Sequence, residues 1–125
     1  MHENDISKEI LDVAFHIHIA LGPGLLEAVY EEIMHIELVK KGLAVERQKI
    51  MPVMWDGRLI ETGYRADLIV ENKVIVELKS IQLLPPVTAK VLLTYLKVSN
   101  LKLGLIINFS EKYLKNGIKR IVNEL

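Results

Sequence analysis

Asp67, Glu77 and Lys79 are the residues of this chain whose types and spacing could do chemistry. They lie in the run Tyr64–Arg65–Ala66–Asp67–Leu68–Ile69–Val70–Glu71–Asn72–Lys73–Val74–Ile75–Val76–Glu77–Leu78–Lys79, which reads as two apolar strands joined by a polar turn. Charges without partners are costly to bury, so three of them interrupting hydrophobic strands should meet something. A divalent cation and a phosphate would suit them. Side chains alternate along a strand, so Ile75, Glu77 and Lys79 share one face of theirs, and on the preceding strand Arg65, Asp67 and Ile69 share a face. If the turn at Glu71–Lys73 pairs the two strands, Asp67 stands close to Glu77 on the same side. Two such carboxylates repel unless a proton or a cation intervenes. A hard cation such as magnesium prefers oxygen ligands, and the Leu78 backbone carbonyl would supply one more. Lys79 could orient or deprotonate an attacking water, or hold a phosphate oxygen, while the metal lowers the water's pKa. The blander reading of the same residues is a hairpin with a solvated, ion-paired face, in which Glu77 pairs with Lys79 or Arg65.

The elements that must position these groups follow from periodicity. Ile6, Ile10, Val13, Ala14 and Ile17 make one apolar stripe, predicting a helix over 5–20 with Asn4 or Asp5 as its cap. Gly22–Pro23–Gly24 stops it. A second helix is expected from Leu25 to Lys41, with Leu26, Val29, Tyr30, Ile33, Ile36 and Leu38 on its apolar side and Gly42 as a left-handed cap. Residues 44–55 read as a strand broken or edged near Pro52. Asp56–Gly57 signals a hairpin turn into a strand over 58–70, bent at Gly63. A third strand covers 74–79. Pro85–Pro86 opens a helix from Val87 to Val98, ended by Asn100. Leu103–Phe109 reads as a central strand, and Ile118–Val122 as a short last one. The helix between 74–79 and 103–109 makes those two strands parallel neighbours. The fold class is α/β: a mixed sheet, an antiparallel hairpin plus a parallel crossover strand, flanked by helices.

Composition sets limits on function. One domain, 1–125, is expected at this length, with half of the residues apolar. Cysteine is absent, which excludes disulfides and thiolate chemistry and fits a reducing, cytoplasmic setting. No signal peptide is read at the polar, acidic N-terminus, and no apolar stretch is long enough to span a bilayer, so no membrane is expected as a partner. The formal net charge is +0, which argues against a general polyanion binder. The distribution is uneven: from Ser80 onward there are seven lysines or arginines against two glutamates. That could be a basic face or ordinary solvated surface.

Asp67 followed by Glu77–Leu78–Lys79 resembles the core of the PD-(D/E)XK nuclease superfamily. Gly24–Leu25–Leu26–Glu27–Ala28–Val29–Tyr30 resembles the signature of the GxxExxY protein family within it. The likeness covers nearly the whole chain. It implies a restriction-endonuclease-like fold and a magnesium- or manganese-dependent nuclease. Asp67, Glu77, the Leu78 carbonyl and Glu27 would be its metal ligands, and Lys79 its catalytic lysine. Glu27 would reach the metal from the second helix, where an acid near the helix start is favourable in any case. Tyr30, three residues after Glu27 and facing a similar way, could position Glu27 or a phosphate or be a half-buried structural tyrosine, and Tyr95 shares a helical side with Val91 as a further supporting residue. The pattern departs from its relatives on the third helix, where Val91 and Thr88 stand at positions that are often polar, with Lys90 between them. Losing such support weakens ligand positioning without removing ligands.

Arg47 and Lys49 share a strand face and, with Lys90, are candidates for contact with a nucleic-acid backbone. Trp55, beside the hairpin turn, could stack on a base or pack across the hairpin. His2, His16, His18 and His35 form no convincing metal set. The expected function is cleavage of DNA phosphodiesters, including branched or unusual forms, with RNA a further candidate and a homodimer expected for so small a nuclease. The alternative is a catalytically degenerate module of the same fold that binds nucleic acid or protein.

Overall fold

The computed structural model describes residues 1–61 and 63–125. Helix α1 runs Glu3–Leu21 and α2 runs Glu27–Lys40. Strands β1 (Val45–Ile50), β2 (Val53–Trp55), β3 (Arg58–Ile60), β4 (Arg65–Val70) and β5 (Val74–Lys79) follow. Helix α3 (Val87–Ser99), β6 (Leu103–Asn108), a 3₁₀ turn (Leu114–Gly117) and β7 (Ile118–Val122) complete the chain.

Five strands form one sheet in the order β1-β4-β5-β6-β7. Among the described residues only β5 and β6 pair in parallel, Val74 opposite Leu103 through Lys79 opposite Asn108, and α3 is the crossover between them. This is the expected mixed sheet flanked by helices. The apolar run Leu103–Phe109 forms a fully buried interior strand, with β5 on one side and β7 on the other. The two long strands expected over 44–55 and 58–70 each divide. Pro52 cannot continue the ladder, so β2 and β3 leave the sheet and pair only with each other. Gly63, at φ 135°, lies in the bend that returns the chain to β4, and Thr62, within the expected second strand, lies outside the described residues.

The sheet has a core on each face. Ile6, Ile10, Val13, Ala14 and Ile17 of α1 pack with Tyr30, Met34 and Leu38 of α2 over Leu68, Val70, Val74, Val76 and Leu78. On the other face Leu92 and Leu96 of α3 cover Ala66, Ile69, Ile75 and Ile106. Each such aliphatic side chain contributes about 1.5–3 kcal/mol by leaving water. Gly104 is required beneath α3, since a Cβ there would stand 2.8 Å from Leu92 Cδ2.

Helix ends differ from expectation in detail. His2, not Asn4 or Asp5, caps α1: its Nδ1 accepts the Asn4 amide at 2.9 Å, and Asp5 accepts the His2 amide at 3.1 Å. Helix α2 starts at Glu27 and buries Tyr30, Glu31, Met34 and Leu38, while Leu26, Val29 and Ile36 are exposed. Its inward stripe is thus narrower than the apolar positions suggest, and it includes a charge.

Candidate functional site

Strands β4 and β5 pair antiparallel at Val70 with Val74, Ile69 with Ile75 and Leu68 with Val76. One step further Asp67 and Glu77 would face each other, and there the ladder stops. The amides that lose their strand partners there bond to carboxylates instead. Leu78 N–H donates to Asp67 Oδ2 at 2.8 Å, and Asp67 N–H donates to Glu77 Oε1 at 3.4 Å.

On its other side β4 is also interrupted. It pairs with β1 at Leu68–Arg47 and Ala66–Lys49, but not at Asp67–Gln48. Gln48 has φ 49°, a left-handed conformation uncommon outside glycine. The consequence is a slip in phase. Strict alternation would place Ala66 and Leu68 on one face, yet Ala66 packs in the α3 core and Leu68 in the α1–α2 core. Asp67 therefore lies on the α2 side, in a cleft of about 180 Å³ with Glu27, Ala28, Glu31, Gln48 and Leu78. Glu77 keeps the phase of Ile75. It lies on the α3 side with Lys79, Tyr64, Val87, Thr88, Val91 and Leu92, around a cleft of about 200 Å³. The slip at Asp67 sets the two carboxylates against different clefts, while the bond from the Asp67 amide keeps Glu77 within reach.

The two acids still feel one another. Glu77 is 7% exposed, and its carboxyl is pushed up to about 7, first by burial and then by the charge of Asp67. The Tyr64 hydroxyl donates to Glu77 Oε1, and this bond and Lys79 work in the opposite direction. The Asp67 carboxyl is likewise raised, chiefly by burial and further by Glu31, against the Leu78 amide. Burial also raises the Tyr64 hydroxyl. The Tyr64 ring stacks on Tyr95 of α3, centroids 4.2 Å apart, which holds it over Glu77. Lys79 forms no ion pair among the described residues.

Of the remaining candidates, Glu27 lines the same cleft as Asp67. Glu27 Oε1 accepts the Ser80 amide at 3.2 Å. Tyr30 is fully buried and bonds neither Asp67 nor Glu77. Its hydroxyl donates to the Gly22 carbonyl at 2.6 Å and accepts the Leu25 amide at 3.2 Å. It fixes the loop that delivers Glu27. Arg47 is paired with Glu31, Nη2 to Oε2 at 3.0 Å, and Lys49 with Glu46 at 3.1 Å. Lys90 is exposed on α3.

Three residues of the site were not singled out from sequence. Glu31 is 6% exposed and holds both Arg47 and the Gln48 amide. Gln48 also donates to Asp67 Oδ1 at 3.2 Å, so it ties α2 to β4. Tyr64 anchors Glu77. A usable signal existed for Glu31, four residues after Glu27 and so on the same helix face. None existed for the left-handed turn at Gln48.

Asp67 and Glu77 line different clefts, and Glu27 accepts the Ser80 amide. Among the described residues no group of three or more His, Cys, Asp or Glu side chains could hold a metal ion. No described helix is long and apolar enough to cross a membrane. In comparisons with known proteins, a family profile described as the PD-(D/E)XK nuclease superfamily matches residues 4–121. No curated protein and no solved structure matches the chain.

Proposed function

The chain belongs to the PD-(D/E)XK nuclease superfamily, and from that premise we propose that it is a nucleic-acid-binding module of nuclease fold, catalytically degenerate in this arrangement. One observation carries the reading: Asp67 and Glu77 open into different clefts. Metal-assisted hydrolysis needs its oxygen donors around one ion, and carboxylates lining separate clefts do not supply that as they stand. The cleft beside Glu77 and Lys79 is lined on α3 by Val87, Thr88, Val91 and Leu92, which offer one hydroxyl and no charge. Nucleic acid is favoured over protein as the occupant by the surplus of lysine and arginine after Ser80. The test is binding and cutting measured side by side. Single-stranded, duplex, flapped and branched DNA, with RNA beside them, are followed by fluorescence anisotropy and by gel with magnesium or manganese. Binding without cutting supports the module. Cutting by the wild type that is lost in Asp67→Ala, Glu77→Ala and Lys79→Ala would overturn it.

A specific observation keeps the second reading, a divalent-cation-dependent DNA nuclease. The Asp67 amide bonds the Glu77 carboxylate, so the two acids remain neighbours across the end of the ladder. On this reading Asp67, Glu77, Glu27 and the Leu78 carbonyl would be the oxygen donors and Lys79 the catalytic lysine. The narrower GxxExxY membership is part of the same proposal. It is supported by Gly24 at φ 110° and by the bonds of Tyr30 to Gly22 and Leu25, which give the glycine and the tyrosine of that signature a mechanical reason. A single domain that pairs as a homodimer would give so small a fold the surface to engage both strands of a duplex.

A further inference from the structure

The β2–β3 ribbon stands outside the main sheet. Its turn residues Asp56 and Gly57 have φ 50° and 75°, the two left-handed positions of a tight hairpin turn that matches strand twist. Register pairs Val53 with Ile60, Met54 with Leu59 and Trp55 with Arg58. Trp55 and Arg58 thus project from the same face, side by side, at the tip. Trp55 is 72% exposed, so most of the indole faces solvent. Tryptophan is among the side chains most buried on average, and an exposed one on a short, rigid ribbon has its apolar faces free for a partner.

The surroundings say what kind of partner. Arg58 is exposed and has no ion pair among the described residues. Helix α3 packs beside β2, and its sequence contains Lys90 and Lys97 and no acid. Lys79 lines the cleft beneath the first turns of α3. The hairpin contributes one acid, Asp56, at its turn. A flat aromatic face beside an unpaired guanidinium, bordered by a helix whose only charges are positive, complements a flat apolar ring attached to a phosphate. We propose that Trp55 is a stacking platform for an unpaired nucleic-acid base and that Arg58 holds the adjoining phosphate. This rests on the nucleic-acid-binding reading above and names the form of the ligand: a strand with unstacked bases rather than a closed duplex.

Trp55 is the chain's one tryptophan, so its emission reports on this position alone. Titrating the intact protein with an oligothymidine strand should quench that emission in step with binding followed by anisotropy of a labelled strand. Trp55→Ala should weaken binding by roughly 5- to 150-fold, the range for losing one stacked base, and Trp55→Phe should retain most of it. Arg58→Ala should weaken binding to all sequences alike and lower the salt slope by about one. Circular dichroism of each variant establishes that the fold is kept. Binding with unchanged tryptophan emission, or Trp55→Ala binding at wild-type strength, overturns the platform and leaves the nucleic-acid reading standing. Absence of binding to every strand removes both. An emission change that follows protein concentration without any strand present identifies a second copy as the occupant and also overturns the proposal.

Discussion

The amide of Asp67 donates to the carboxylate of Glu77, although the two side chains line different clefts. The cause lies in β1 and β4 together. Gln48 turns left-handed, the β1–β4 ladder skips Asp67, and the alternation of β4 slips by one position. A one-residue slip moves every side chain beyond it to the other face. That is why Ala66 and Tyr64 pack toward α3, while Asp67 turns to α2. Residues that sequence spacing would gather into one pocket are divided between two.

Glu77 makes stability depend on pH in an unusual direction. Its folded carboxyl lies at about 7, above the ordinary 4.5. Below about 4.5 both folded and unfolded chains hold the proton. Between there and about 7 the folded chain holds it and the unfolded chain does not, so stability falls as pH rises, and above about 7 the loss is complete. The shift of Asp67 acts in the same direction. Glu77→Gln removes the charge and keeps an acceptor for Tyr64. Thermal melts should show the variant more stable than wild type near about pH 8, by roughly 2–3 kcal/mol, and nearly equal to it near about pH 5. An equal difference at both pH values would contradict the raised carboxyl.

Glu31 is a buried charge with two partners, and its removal should be felt through Arg47. Glu31→Ala should cost about 2–3 kcal/mol, less than a fully buried pair because Arg47 is partly exposed. In urea unfolding, Arg47→Ala added to Glu31→Ala should cost little more than Glu31→Ala alone. Additive losses would mean that the pair does not act as a unit.

Tyr30 ties the loop before α2. Tyr30→Phe keeps the ring stacked on Phe109, now 4.1 Å between centroids, and deletes the bonds to Gly22 and Leu25. The expected cost is about 1–2 kcal/mol. Amide exchange should quicken at Leu25 and at Ser80, whose amide depends on Glu27. Unchanged exchange at both would show that the hydroxyl does not hold this loop.

Much of the architecture could be read from local pattern. The α1 stripe at Ile6, Ile10, Val13, Ala14 and Ile17 is the stripe that is buried. The parallel pairing of β5 with β6 follows from the helix between them, and Asn100 ends α3 in the left-handed conformation. What could not be read depends on distant partners. The burial of Glu31 needs Arg47 and Gln48 from β1, and no helical period announces an inward charge. The slip at Asp67 needs a left-handed glutamine on a neighbouring strand. Strand alternation is a rule about regular ladders, and the site lies where the ladder ends.

The most direct measurement is manganese titration followed by electron paramagnetic resonance, with an oligonucleotide present, on wild type, Asp67→Ala and Glu77→Ala. Donors divided between two clefts predict no ion held at micromolar concentration and the same free-ion signal for all three proteins. One ion bound per chain by the wild type, and lost in both variants, would contradict that division and restore a shared metal centre.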